Sequence, residues 1–166
     1  MPSESDNPRL HELYLADQGD RAKVYTSIGD LRSLKHRDSM RRDLVGQMIS
    51  KGELVSPNDL YRAGVIFLHG SEPKDFLAAH RWATMAAIGG NEAARWLVAA
   101  SLDRFLMATG LAQIYGTQFA HDPESNQYQL RLPIDDLGLL NFEKRFFNVP
   151  PVSDRLSQLN SKMQSK

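Results

Sequence analysis

Apolar residues recur with a helical period through the middle of the chain, and the punctuation around them marks three helices. Ser56-Pro57 reads as an N-cap followed by proline at the first helical position. Beyond it Leu60, Tyr61, Gly64, Val65 and Phe67 form a broad apolar stripe that stops at His69-Gly70. Pro73 opens the next helix, which carries Phe76, Leu77, Trp82, Ala83 and Ala86 to a stop at Gly89-Gly90. Asn91 caps a third, with Ala94, Leu97, Val98, Leu102 and Leu106 on one face and Gly110 at its end. Connections this short make neighbouring helices antiparallel.

The flanks are patterned less sharply. Upstream, Arg9 to Ala16, a stretch beginning near Asp20, and Ser39 to Lys51 (capped by Asp38, stopped by Gly52) read as helices. Downstream, Gln127 to Leu132 alternates polar with apolar and ends at Pro133, the pattern of one short strand or extended segment lying flat over the helices. A short helix near Asn141 to Phe147, an extended joint at Val149-Pro150-Pro151 and an amphipathic helix from Ser153 follow. The expected fold class is all-α: a compact bundle of antiparallel helical hairpins with an irregular C-terminal segment across it. It forms one domain over residues 1–166, with about 1–7 and 160–166 disordered.

Composition narrows the partners. A chain of 166 residues with 42% hydrophobic and 24% charged residues suits one globular domain with a proper core. Lys plus Arg and Asp plus Glu are both 20, so nothing draws the protein from afar to nucleic acid or an anionic membrane. The densest basic stretch, Lys35 to Arg42, is broken by Asp38 and reads as a solvated helix start. The absence of cysteine removes disulfides, thiol catalysis and thiolate metal sites, and fits a cytoplasmic setting. The polar start, Met1 to Asp6, predicts neither a secretory leader nor a membrane span.

Two resemblances follow from particular residues. Gly64, Phe67, His69-Gly70, Asp75, Ala79, Trp82, Ala86-Ala87, Gly89 and Ala93 resemble a single Sel-one-like repeat over residues 60–97. That motif is a relative of the tetratricopeptide hairpin, in which small residues let two helices approach closely. One copy, with Ser71-Glu72-Pro73 at its turn, implies the packing of such a hairpin without an array. The second set spans most of the chain: Asp17-Gln18-x-x-Arg21, Phe67-x-His69-Gly70, Ala79-His80, Asp103-Arg104 and Gln113-x-Tyr115-Gly116-Thr117-Gln118. It resembles a bacterial family of unknown function, which implies a shared architecture and a shared site.

The candidate site draws on the same residues. Counting back from the Gly90 turn places His80 opposite Ser101 to Arg104, where Asp103 can orient its imidazole as a catalytic acid–base pair. The plainer alternative is a core histidine bonded to a nearby acceptor. Asp103 and Arg104 point about 100° apart, so one of them is expected to be buried against Asp17 or Arg21. Asp17, Gln18, Arg21, Arg104, Gln113, Tyr115, Thr117 and Gln118 are the candidate ligand-binding groups, with Arg21 or Arg104 as an anion clamp. His69 reads as a helix C-terminal cap. No metal-ligand spacing, phosphate loop or dinucleotide fingerprint is present, so no metal and no cofactor are expected.

Two functions remain open. One is a polar pocket for a small polar or anionic ligand, extending to acid–base catalysis. The other is a helical protein–protein interaction module, with the polar set as scaffolding.

Overall fold

Helices begin where the sequence supplies an acceptor for free backbone N–H groups. In the computed structural model, which describes residues 6–135 and 141–164, Asn7 caps α1 (Pro8–Arg21), Ser27 caps α2 (Ile28–Ser50) and Ser56 caps α3 (Pro57–Leu68). Each side-chain oxygen accepts from the N–H three residues on. α4 (Pro73–Ile88) starts with a capping box between Glu72 and Asp75, and α5 (Ala94–Ala108) receives a bond to Asn91 Oδ1 at its first N–H. α6 (Asn141–Phe146) and α7 (Val152–Gln164) lie in the C-terminal third.

α3, α4 and α5 pack as consecutive antiparallel neighbours, as their short turns require. Their core holds Val65, Leu68, Ala79, Ala83, Leu97 and Val98. A Cβ at Gly64 would sit 3.0 Å from Leu97 Cδ2 and 3.3 Å from the Ala79 carbonyl, so these helices touch nearly backbone to backbone. Leu10, Val45, Met48, Leu54 and Ile66 join α1 and α2 to α3 in a second cluster.

The structure is mostly helical but not all-α. β1 (Phe119–Asp122) pairs antiparallel with β2 (Gln127–Leu130), from Phe119 opposite Leu130 to Asp122 opposite Gln127. The expected lone strand thus has a ladder partner in Phe119–Asp122; Asn126, at φ 52°, makes the tight return. α7 packs on β2, where Asn160 bonds both the N–H and the carbonyl of Tyr128. That side chain satisfies the open edge of a strand.

Three further expectations are corrected. α1 runs unbroken to Arg21, and no separate helix begins near Asp20. α2 begins at Ile28, so Asp38 lies in its interior rather than capping it. Of the ends expected to be disordered, residues 6, 7 and 160–164 are placed in the fold. Asp6 bonds Ser56 and Arg62, the Asn7 N–H bonds Asp59, and residues 160–164 belong to α7; residues 1–5, 165 and 166 lie outside the described residues.

Candidate functional site

Beyond the apolar contacts around Leu10, α1 is tied to α2 by buried charge. Asp17, Asp20, Asp38 and Arg41 are all buried. Asp20 accepts from Arg37 Nε at 2.9 Å, from Arg41, from Lys23 and from the Tyr25 hydroxyl. Asp38 bridges Arg21 at 2.6 Å and Arg41 at 2.9 Å. The bonds from Arg37 and Arg41 hold the Asp20 carboxyl well below the usual carboxylate range, against the opposing pull of burial. The basic stretch read as a solvated helix start is therefore half of a buried ion-pair network, with Arg41 and Arg42 turned inward.

Asp17 reaches past this network to α3. His69 Nδ1 lies 3.0 and 2.9 Å from its two carboxylate oxygens, while Gln18 Nε2 bonds it at 2.9 Å and Arg21 at 3.4 Å. Burial pushes the Asp17 carboxyl up, but the His69 bond and the charges of His69 and Arg21 outweigh it and leave the group below its ordinary range. His69 is the α3 C-cap, as expected, and is also the imidazole that an aspartate orients. That second role has no local signal, because its partner lies 52 residues earlier.

The expected His80–Asp103 pair does not form. His80 Nδ1 bonds the Val98 carbonyl at 3.1 Å, about a turn short of Asp103, which matches the plainer core-histidine reading. Asp103 meets neither Asp17 nor Arg21. Its fully buried carboxylate accepts from the Ile114 and Tyr115 N–H groups on one oxygen, at 2.7 and 2.9 Å. The other oxygen accepts from the Thr117 N–H and hydroxyl, at 3.0 and 2.7 Å. A carboxylate at the end of α5 thus organises residues 114–117 from inside.

The rest of that loop is tied by amides. Gln113, with no exposed surface, donates to the Gln118 and Arg131 carbonyls and accepts from the Gln118 N–H. Gln118 Nε2 bonds the Ala100 carbonyl and the Thr117 hydroxyl. Its Oε1 is left to accept from Arg104 Nε at 3.2 Å. The Tyr115 ring packs edge-on against Phe147, and burial raises its hydroxyl pKa.

Arg104 links the two halves of the candidate set. Its Nη1 donates to the Leu68 carbonyl at 2.7 Å, one residue before His69, and its guanidinium lies over the Phe76 ring. No carboxylate among the described residues lies within ion-pair distance of it, and Nη2 has no hydrogen-bond partner among them. Burial lowers its pKa, and the nearby charges of Arg131 and Arg21 lower it further.

Arg104 and Gln118 line a cavity of about 320 Å³, with Arg131 at its edge and Phe76, Met107 and Phe119 supplying apolar walls. Two other cavities differ in charge balance. The groove of about 860 Å³ between α2 and the start of α4 sets Arg42 and Lys74 against Asp43, Glu72 and Asp75. The smaller one beside His69 is lined by Arg21, already paired with Asp38, Arg42, already paired with Asp75, and Lys35, with the Asp38 carboxylate itself in the wall.

The candidate residues therefore fall into three places: Asp17, Gln18 and Arg21 in the ion network, Asp103, Gln113, Tyr115 and Thr117 in the loop scaffold, and Arg104 with Gln118 at the cavity. His80 stands apart. No group of three or more His, Asp or Glu side chains among the described residues is placed to hold a metal ion, and no described helix is long and apolar enough to cross a membrane. Comparison with protein-family models, curated proteins and solved structures finds no match to this chain.

Proposed function

We propose that the protein binds a small anionic ligand in the cavity beside Arg104. The observation that carries this reading is a half-buried guanidinium with no carboxylate among the described residues to neutralise it. A buried charge left unpaired costs several kcal/mol. The fold spends three contacts, with the Leu68 carbonyl, Gln118 Oε1 and the Phe76 ring, on holding that charge in place. An arginine fixed in this way and still holding free N–H donors suits a carboxylate or phosphate.

Asp103 and Gln113 support the site at one remove, by fixing the loop that carries Gln118. Asp17 and His69 do so by fixing the turn after Leu68. The acid–base pairing of His80 with Asp103 is not carried forward, because each is committed to other partners. Without cysteine, the chain suits the reducing cytoplasm, and that is the setting we propose.

A thermal-melt panel at low ionic strength tests the reading. Benzoate and inorganic phosphate should raise the melting temperature and uncharged benzyl alcohol should not. Salt near 0.5 M should weaken the effect, because a charge at a cavity mouth is screened. If neither anion stabilises the protein, the proposal fails.

A second reading, a docking module for another protein, is favoured by one observation. Leu77, Met85 and Ile88, at 43, 50 and 83% exposure, fall on one side of α4. Leu77→Ser together with Ile88→Ser would disrupt such docking and leave anion binding intact.

A further inference from the structure

Resting on that reading, we propose that the ligand is a small phosphomonoester bearing an apolar or aromatic group, bound as its dianion. Three features of the cavity define this class.

The first is charge. Arg104 on α5 and Arg131 just beyond β2 both line the cavity, and neither has an ion-pair partner among the described residues. Arg21 of α1 adds its field to Arg104 but is itself neutralised by Asp38 and Asp17. Two uncompensated charges are left. A monocarboxylate cancels one of them. A phosphomonoester carries close to two negative charges once its second proton is lost, near pH 6, and offers three equatorial oxygens to two guanidiniums.

The second feature is the wall. Phe76, which lies under the Arg104 guanidinium, Met107 and Phe119 line the same cavity, so an apolar part of the ligand finds a surface there. Inorganic phosphate leaves that wall in contact with water, and a dicarboxylate places a second charge against it. The third is size. At about 320 Å³ the cavity lies at the lower end of small-molecule sites, which suits a phosphate on one ring or a short chain.

Within this arrangement Gln118 is a positioning residue. Its Oε1 takes the Arg104 Nε–H, and its Nε2 is held by Ala100 and Thr117, so the amide cannot rotate and the guanidinium plane is fixed. Arg131 is exposed and its side chain joins no other described group, so it is the residue that adds the second charge without supporting the fold.

Isothermal titration of the full chain at low ionic strength with phenyl phosphate, benzoate and inorganic phosphate tests this. At pH 7.5, phenyl phosphate should bind about tenfold tighter than either of the others, the equivalent of one extra charge contact. At pH 5 its phosphate carries a single charge, and that advantage over benzoate should vanish. No histidine or carboxylate among the described residues lines the cavity, so benzoate affinity should change little between the two pH values.

Arg131→Gln should weaken phenyl phosphate clearly more than benzoate, so that the advantage of phenyl phosphate is lost, while leaving the melting temperature near that of the parent. If benzoate binds as tightly as phenyl phosphate at pH 7.5, or if Arg131→Gln weakens both equally, the phosphomonoester assignment is overturned and the anion site stands. If none of the three binds, both fall.

Discussion

At the scale of the residue, the same side-chain type does opposite work in different surroundings. Asp103 is a buried acceptor with four donors and no cation, so it responds to substitution as a hydrogen-bond hub. Asp103→Asn keeps an oxygen for Ile114 and Tyr115 but turns an NH2 toward the Thr117 N–H, where both groups donate. The loss should be about 2–4 kcal/mol, read as a drop in urea midpoint. His80→Ala removes one bond to a carbonyl that Ser101 also uses, and should cost about 1 kcal/mol. Asp17 and Asp20, with pKa values lowered in the fold, contribute stability that is present above their unfolded pKa, about 4, and lost as pH falls through the folded values. Asp59 works the other way. Burial raises its pKa, so its protonation on acidification favours the fold. Asp6 and Asp122 are lowered as well, and four lowered carboxylates against one raised predict a urea midpoint that declines below about pH 4, with a shallower decline in Asp20→Asn. A midpoint flat to pH 3 would contradict the network's role.

At the scale of the element, legibility in the sequence followed locality. The bounds of α3 and α4 were readable because Ser56-Pro57, Pro73 and the glycine stops act within a few residues of themselves. α2 was misread at its start because Asp38, Arg41 and Arg42 pair with residues on α1 and α4, and ion pairing between helices has no sequence period. The β1–β2 hairpin was half seen: the alternation of Gln127 to Leu130 is visible, whereas Phe119–Asp122 lacks it and is a strand only through its partner. His80 meets Val98, five residues before Asp103, because the turn between α4 and α5 sets a register that local spacing does not specify. Two glycines show how the elements tolerate change. A Cβ at Gly70 would sit 2.3 Å from Asp75 Cβ, and Asp75 holds the Ser71 and Glu72 N–H groups ahead of α4. Gly70→Ala should therefore cost about 1–3 kcal/mol by displacing that cap. Gly46, inside α2, has nothing within 4 Å of the same position. Gly46→Ala should stabilise by about 0.5–1 kcal/mol, the backbone entropy a helical glycine loses, and melting curves of the two variants should move in opposite directions.

At the scale of the whole molecule, the chain divides into a helical body, α1 to α5, and a C-terminal third attached to it by few groups. Within that third, Asn160→Ala removes the bonds that hold α7 on β2. It should speed hydrogen exchange at the Tyr128 amide while leaving exchange in α3 to α5 unchanged; equal acceleration everywhere would mean that the two parts open together. The attachment of residues 114–117 to the body through Asp103 has a consequence for how the protein is made. As the chain leaves the ribosome, Asp103 emerges ahead of residues 114–117. The carboxylate must remain hydrated at that stage, and the end of α5 stays wet. Once Thr117 arrives, four protein donors replace that water together, and the hydration that had kept the nascent end of α5 soluble is given up in a single docking event.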